Sequence, residues 1–171
     1  MKKSEESKRE SEISILFVCH GNICRSPAAE GTFIHLLKKK NLENHFRADS
    51  AGVASYHIGE LPHQTTRKVA LEYGIQLVHR ARQFRRSDFD EFDLILAMDR
   101  SNLSDMLRSL PQGRDSSHVK LFRTYDPSAK KGGNTPDVPD PYYGGIDGFF
   151  EVQEIMLRTC EALLEELKPE A

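Results

Sequence analysis

Short apolar runs rich in β-formers alternate with longer stretches of helical periodicity from residue 13 onward, and this alternation leaves few folds open. The run Ile13-Ser14-Ile15-Leu16-Phe17-Val18 has no continuous polar face, as expected of a strand buried on both sides of a sheet. It ends at Cys19. Ser26 and Pro27 then supply N-cap and first-turn residues of a helix whose Ala29, Phe33, Leu36 and Leu37 recur on one face, with Lys38, Lys39 and Lys40 at its carboxyl end. The pattern repeats as a strand at 46–50, a helix at 62–73 stopped by Gly74, a strand at 94–98, a helix at 102–110 and a last strand at 119–125. A terminal helix carries Phe149, Met156, Cys160, Leu163 and Leu167 as its apolar stripe.

Such βα units imply an α/β fold: a four-stranded parallel sheet with helices on both faces, in a flavodoxin-like order fixed by right-handed crossovers. Ligands of these sheets bind beyond the carboxyl ends of the strands, where the order reverses beside the first strand. Cys19 lies there. Residues 1–12 are almost wholly charged or Ser and read as a flexible leader, and 13–171 as one domain. The stretch 126–147, rich in Pro, Gly and Asp, is either a disordered linker or an ordered functional loop.

The formal net charge is -2, so the totals offer no footprint for nucleic acid or an anionic membrane surface. Three cysteines, with no apolar signal core or spanning segment, suit a reducing, cytoplasmic setting and thiols that are reactive or buried. A zinc site from Cys19, His20 and Cys24 lacks a second ligand pair. No metal or cofactor is expected.

The segment Cys19-His20-Gly21-Asn22-Ile23-Cys24-Arg25-Ser26-Pro27 joins a strand end to a helix N-terminus. Its backbone donors can converge on one anion. Gly21 and Asn22 tolerate the dihedrals such a cradle needs, and Arg25 adds a planar fork able to hold two phosphoryl oxygens. Helix N-termini and nearby cations also favour a thiolate at Cys19. Ser26 either donates its hydroxyl to that sulfur or caps the helix. Asp140, in Val138-Pro139-Asp140-Pro141-Tyr142-Tyr143, is the candidate proton donor to a departing oxygen, or else a turn residue.

The run from Val18 to Pro27, the late Asp140-Pro141-Tyr142, and the intervening Asp49-Ser50-Ala51-Gly52 and Met98-Asp99-Arg100-Ser101-Asn102-Leu103 together resemble the low-molecular-weight protein tyrosine phosphatases. The resemblance covers nearly all of the chain after the leader. It implies hydrolysis of protein phosphotyrosine and small aryl phosphates through a cysteinyl-phosphate, with no metal: Cys19 as nucleophile, Arg25 as phosphate clamp, and Asp140 as acid and then base. His20, Gly21, Asn22, Ile23, Cys24 and Ser26 complete the phosphate site, and Tyr56, Tyr142 and Tyr143 wall the cleft. Asn22, Ser50 and His79 resemble the network that shapes the loop. Cys24 matches the cysteine that in the family forms a protective disulfide with the nucleophile, or is simply packed. Tyr142 and Tyr143 are loop anchors or themselves phosphorylation targets. The implied partner is a phosphotyrosine-containing protein, and the chain is expected to be a monomer or to self-associate weakly.

Three alternatives share the fold. Arsenate reductases need relay cysteines, and 80–98 contains none. Phosphoarginine phosphatases carry Thr where this chain has Ile23, whose apolar side chain better fits an aromatic ring. A catalytically inactive phosphate-binding module is disfavoured by the intact Cys, Arg, Ser and Asp set. Departures from the family pattern, Tyr56 where some members have Trp and the variable position Glu60, bear on specificity. Arg80, Arg82, Arg85 and Arg86 read as a solvated basic face, and the histidines other than His20 and His79 as surface residues.

Overall fold

The computed structural model describes residues 12–129 and 133–169. Apart from Glu12, the charged leader lies outside them. Strands β1 (Ile13–Cys19), β2 (Phe46–Gly52), β3 (Leu94–Ala97) and β4 (Val119–Leu121) form one sheet in the order β2-β1-β3-β4. Every neighbouring pair is parallel, the expected flavodoxin-like arrangement with β1 at the switch point. Helices α1 (Arg25–Lys39), α2 (Gln64–Glu72), α3 (Asp88–Glu91), α4 (Arg100–Arg108) and α5 (Ile146–Leu167) cover it.

The two-residue period of β1 divides the core. Ile15 and Phe17 point into one cluster with Phe33, Leu36 and Leu37 of α1 and Val152, Met156, Cys160 and Leu163 of α5. Leu16 and Val18 point into the other, with Phe89 of α3, Ile95 and Ala97 of β3 and Met106 of α4. Four consecutive residues, Ile15 to Val18, are wholly inaccessible, which is why this strand could not carry a polar face. Between α1 and α5, Gln153 Nε2 donates to Thr32 Oγ1 at 3.0 Å, a buried polar pair amid apolar packing.

Boundaries differ from the sequence reading where a local cap or packing partner decides them. Helix α1 begins at Arg25 after Cys24, so Ser26 is inside its first turn and does not cap it. Helix α2 starts at Gln64 because His63 Nδ1 accepts the Thr65 N–H. Helix α4 starts at Arg100 because the Asp99 carboxylate accepts the Asn102 N–H at 2.7 Å. The last strand is shorter than expected: after Leu121 the chain turns into a 3₁₀ segment, Phe122–Tyr125. Phe122 and Tyr125 both meet the same core cluster, a spacing that a three-residue period satisfies and an alternating strand does not.

The described part of 126–147 is an ordered loop. Arg158 of α5 and Arg123 both hold the Asp126 carboxylate, and the Val138 N–H bonds the Met98 carbonyl at 2.8 Å. Tied this way to the carboxyl end of β3, the loop brings Asp140 to the carboxyl end of β1. Among the described residues no helix is long and apolar enough to cross a membrane.

Candidate active site

Residues 20–24 bridge the end of β1 and the start of α1. The peptide N–H groups of His20, Gly21, Ile23, Cys24 and Arg25 find no backbone acceptor among the described residues, although the stretch from Asn22 to Arg25 is buried. Buried donors of this kind are costly unless an anion or water takes them. The Asn22 N–H points at the Cys19 sulfur, 3.3 Å away.

Asn22 adopts φ 59°, a left-handed conformation that Asn tolerates better than most residues. Its amide is fully committed. Nδ2 donates to Ser26 Oγ (2.8 Å) and Ser50 Oγ (2.9 Å), while Oδ1 accepts from His79 Nε2 (2.9 Å) and the Arg82 N–H (3.0 Å). Ser26 Oγ, which accepts from Asn22, lies 3.0 Å from Cys19 Sγ and 3.4 Å from the Ala51 carbonyl oxygen, so the sulfur and that carbonyl are the two acceptors within reach of its hydrogen. Ser50 passes its hydroxyl hydrogen on to Glu30 Oε1 at 2.7 Å.

Arg25 is almost wholly buried. Its Nη1 donates to Asp99 Oδ2 (2.7 Å) and the Val138 carbonyl (3.1 Å), and its Nη2 faces Asp140 Oδ2 at 3.7 Å. Burial works against this charge, but Cys19, Asp99 and Asp140 outweigh it and hold the guanidinium above its ordinary range. Cys24 is the opposite case: burial pushes its thiol up to about 12 despite a hydrogen bond with Thr66. All three cysteines are free and buried.

Cys19, His20, Gly21, Ile23, Cys24, Arg25, Tyr56, Asp140, Tyr142 and Tyr143 open onto one cleft of about 170 Å³. Its walls are aromatic: Tyr142 meets Tyr143 edge-on at 4.9 Å, and Tyr56 lies 6.0 Å from the His20 ring on the other side. Asn22, Ser26, Ser50 and His79 are not in the cleft wall; they stand behind the loop and the sulfur.

Several residues here had no expected role. Asp99 anchors Arg25, and its place just past β3, at the ligand-binding end of a parallel strand, was the available signal. Arg82 corrects the reading of a solvated basic face: it pairs with Asp49 at 3.0 Å and with both oxygens of the buried Asp88 (3.0 and 3.1 Å), so its backbone is fixed where it bonds Asn22. Burial opposes its charge, but these carboxylates raise it. The histidines are not merely superficial either. His57 lines the cleft and bonds Glu60, His63 stacks on Phe149 at 5.1 Å, and His118 bonds the Phe89 carbonyl. Gly52 at the end of β2 touches the loop directly, since a Cβ there would lie 2.8 Å from the His20 carbonyl oxygen and 2.9 Å from the Asn22 nitrogen.

Glu30, Asp49 and His79 gather behind Asn22 closely enough to ligate a cation, but Ser50 already occupies Glu30 and Arg82 already neutralises Asp49. Burial raises the Glu30 carboxyl to about 7 and lowers the His79 imidazole. With Nε2 bonded to Asn22, His79 Nδ1 is 3.2 Å from Glu30 Oε1. Through Ser50 and His79 the cluster is hydrogen-bonded to Asn22 of the loop.

Residues 14–171 match the family model described as "Low molecular weight phosphotyrosine protein phosphatase". The chain is 43% identical over 159 residues to "Low molecular weight protein-tyrosine-phosphatase YfkJ" of Bacillus subtilis, covering 92% of this chain and 97% of that one. The solved structure of that protein superimposes with a TM-score of 0.82. A protein tyrosine phosphatase from Entamoeba histolytica, crystallised with Hepes in its active site, is 37% identical, with a TM-score of 0.83 over 92% of this chain and 97% of that one. The drosophila arginine phosphatase is 32% identical, with a TM-score of 0.80 over 92% and 99%. With this sequence match, this sheet order and the strand-loop-helix site at its switch point, the chain belongs to the low molecular weight phosphotyrosine protein phosphatases, a family of hydrolases.

Proposed function

We propose that this chain hydrolyses protein phosphotyrosine in two steps at the cleft below Arg25. The observation that carries the reading is one juxtaposition: the Cys19 sulfur, the Arg25 guanidinium and the Asp140 carboxylate share a single aromatic-walled cleft at a helix N-terminus whose peptide donors have no backbone acceptor among the described residues. The phosphoryl oxygens bind to the loop N–H groups and to Arg25. A lone pair on the Cys19 thiolate attacks phosphorus as the P–O bond to the tyrosine ring breaks, and Asp140 gives its proton to the departing phenolic oxygen. Water then attacks the phosphocysteine, its proton passing to Asp140, and the S–P bond breaks to release orthophosphate. The Ser26 hydroxyl, 3.0 Å from the sulfur, stabilises the leaving thiolate. Neither step uses a metal.

Substrate class follows from the cleft wall. Ile23, Tyr56, Tyr142 and Tyr143 offer apolar faces to a flat ring, whereas a phosphoserine is too short to reach both them and the sulfur. Ile23 also separates this chain from a phosphoarginine reading, and the absence of cysteine from 80–98 from an arsenate-reductase one. We assign 13–171 to one phosphatase domain and 1–12 to a charged leader. Three free thiols suit the reducing cytoplasm. The decisive experiment compares phosphotyrosine, phosphoserine and phosphoarginine peptides on the purified protein and its variants. Phosphotyrosine turns over fastest, Cys19→Ser abolishes hydrolysis, and Asp140→Asn slows it by ~10²–10⁴. A preference for phosphoarginine, thioredoxin-dependent turnover of arsenate, or an active Cys19→Ser protein overturns the assignment.

A further inference from the structure

Between Tyr125 and Ile146 the described residues form no helix or strand, so hydrogen bonds must place Asp140. They gather on Thr135, Asp137 and Val138, just before it. Asp137 Oδ1 accepts both the Arg100 N–H (3.1 Å) and Arg100 Nη1 (2.9 Å), and Arg100 Nη2 donates to the Thr135 carbonyl. Arg100 opens α4, so its N–H has no acceptor within the helix, and Asp137 supplies one. Arg123 Nη1 donates to the Asp137 carbonyl (2.8 Å) while its Nε holds the buried Asp126 (2.9 Å), which joins the start of the loop to the approach to the acid. Val138 donates to the Met98 carbonyl (2.8 Å) and accepts from Arg25 Nη1 (3.1 Å). Beyond Asp140 the hydrogen bonds are local: the Tyr142 N–H bonds the Asp140 carboxylate, and the Gly144 N–H bonds the Pro141 carbonyl, each at 3.1 Å.

We propose that Arg100 is a positioning residue for the general acid, fixing Asp140 against the departing oxygen by holding Asp137. The proposal rests on the reading of Asp140 as the acid given above. Pro139 alone separates Val138 from Asp140, and its ring fixes φ, so a displacement of Asp137 and Val138 is passed on to the acid. Arg100 also follows Asp99, which holds the Arg25 guanidinium at 2.7 Å. Two adjacent residues at one helix start thus fix the phosphate clamp and the acid relative to each other. Neither Arg100 nor Asp137 is among the residues lining the cleft, so both act through the loop. Their side chains are 50% and 45% exposed, and such a pair adds little to folding stability. Its effect is therefore separable from the stability of the fold.

The test measures kcat/KM on two aryl phosphates: a phosphotyrosine peptide, whose phenolic oxygen needs a proton to leave, and dinitrophenyl phosphate, whose phenolate leaves without one. Arg100→Ala and Asp137→Ala each lower kcat/KM on phosphotyrosine by about tenfold and on the dinitrophenyl ester by about twofold or less. Their thermal unfolding midpoints stay within about 4 °C of wild type. Asp137→Asn, which keeps the Oδ1 acceptor, holds phosphotyrosine turnover within about threefold of wild type. Equal losses on both substrates, no loss on either, or an Asp137→Asn protein as impaired as Asp137→Ala overturns the proposal. So do opposite effects of the two alanine variants, which remove opposite charges and would then act by charge rather than by position. Asp140→Asn is measured alongside and loses far more on phosphotyrosine than on the dinitrophenyl ester. If it loses equally on both, the acid reading fails and the positioning role falls with it; if it is selective and Arg100→Ala is not, the positioning role alone fails.

Discussion

Replacing Asn22 with Ala separates a shaped loop from a merely adjacent one. The change deletes four hydrogen bonds made by a side chain that is 1% exposed. Each is worth about 0.5–1.5 kcal/mol net. It leaves the Arg82 N–H without its acceptor, and it puts a Cβ-bearing residue at φ 59° without the local hydrogen bonding that helps Asn there. Together these cost about 3–5 kcal/mol. Asn22→Gly loses the same bonds but not the dihedral strain, so it is less destabilised than Ala by about 1 kcal/mol. Urea unfolding of the three proteins reads both quantities. Because the loop then loses its fixed relation to the sulfur, kcat on an aryl phosphate falls by about 10²-fold in both variants. An Asn22→Ala protein within 1 kcal/mol of wild type by the same accounting, with undiminished kcat, refutes the claim that this amide shapes the loop.

Other consequences follow from the same frame. Gly52→Ala forces a methyl group against the backbone at His20 and Asn22, so thermal unfolding shows a loss of about 1–3 kcal/mol together with reduced turnover. Asp88→Ala strips Arg82 of its two-oxygen partner; because the Arg82 side chain is 23% exposed and keeps Asp49, the loss is about 2–3 kcal/mol, below the ~3–5 of a wholly buried pair. A solvated arginine would cost under about 0.5 kcal/mol instead. Burial alone would raise the Asp126 carboxyl, but hydrogen bonds from Arg158, Ser128 and Arg123 pull it down from 3.8 to about 2. A depressed carboxyl stabilises the fold fully above its unfolded value, and that contribution is lost as pH falls through the folded one. Acid titration of unfolding therefore shows a drop between about pH 4 and pH 2 that is absent in Asp126→Asn.

What the sequence revealed was mostly what is local along the chain. The strand 13–18, the loop from Cys19 and the helix beyond it are contiguous, and their apolar spacing alone places Cys19 at the switch point of a parallel sheet. Asn22, Ser50 and His79 were legible through family resemblance, since nothing in their spacing predicts that one amide joins them. Asp99 and Arg82 were not legible. Their partners Arg25 and Asn22 lie 74 and 60 residues away, and a charged side chain carries no pattern that distinguishes a buried clamp from a solvated face. His57 was missed for the same reason, as its role depends on its packing against the loop and Tyr142. The end of β4 shows the other limit: Val119 to Tyr125 has strand composition, and only the shared burial of Phe122 and Tyr125 turns it into 3₁₀.

The central claim is that the Cys19 sulfur carries the phosphoryl group between the two steps. Rapid quenching of the protein during turnover of an aryl phosphate, followed by mass spectrometry of its proteolytic peptides, tests this directly. The account predicts one phosphoryl group, on the peptide containing Cys19, accumulating when the second step is slowed and absent from Cys19→Ser. A phosphoryl group found on another residue, or steady turnover by Cys19→Ser, contradicts it.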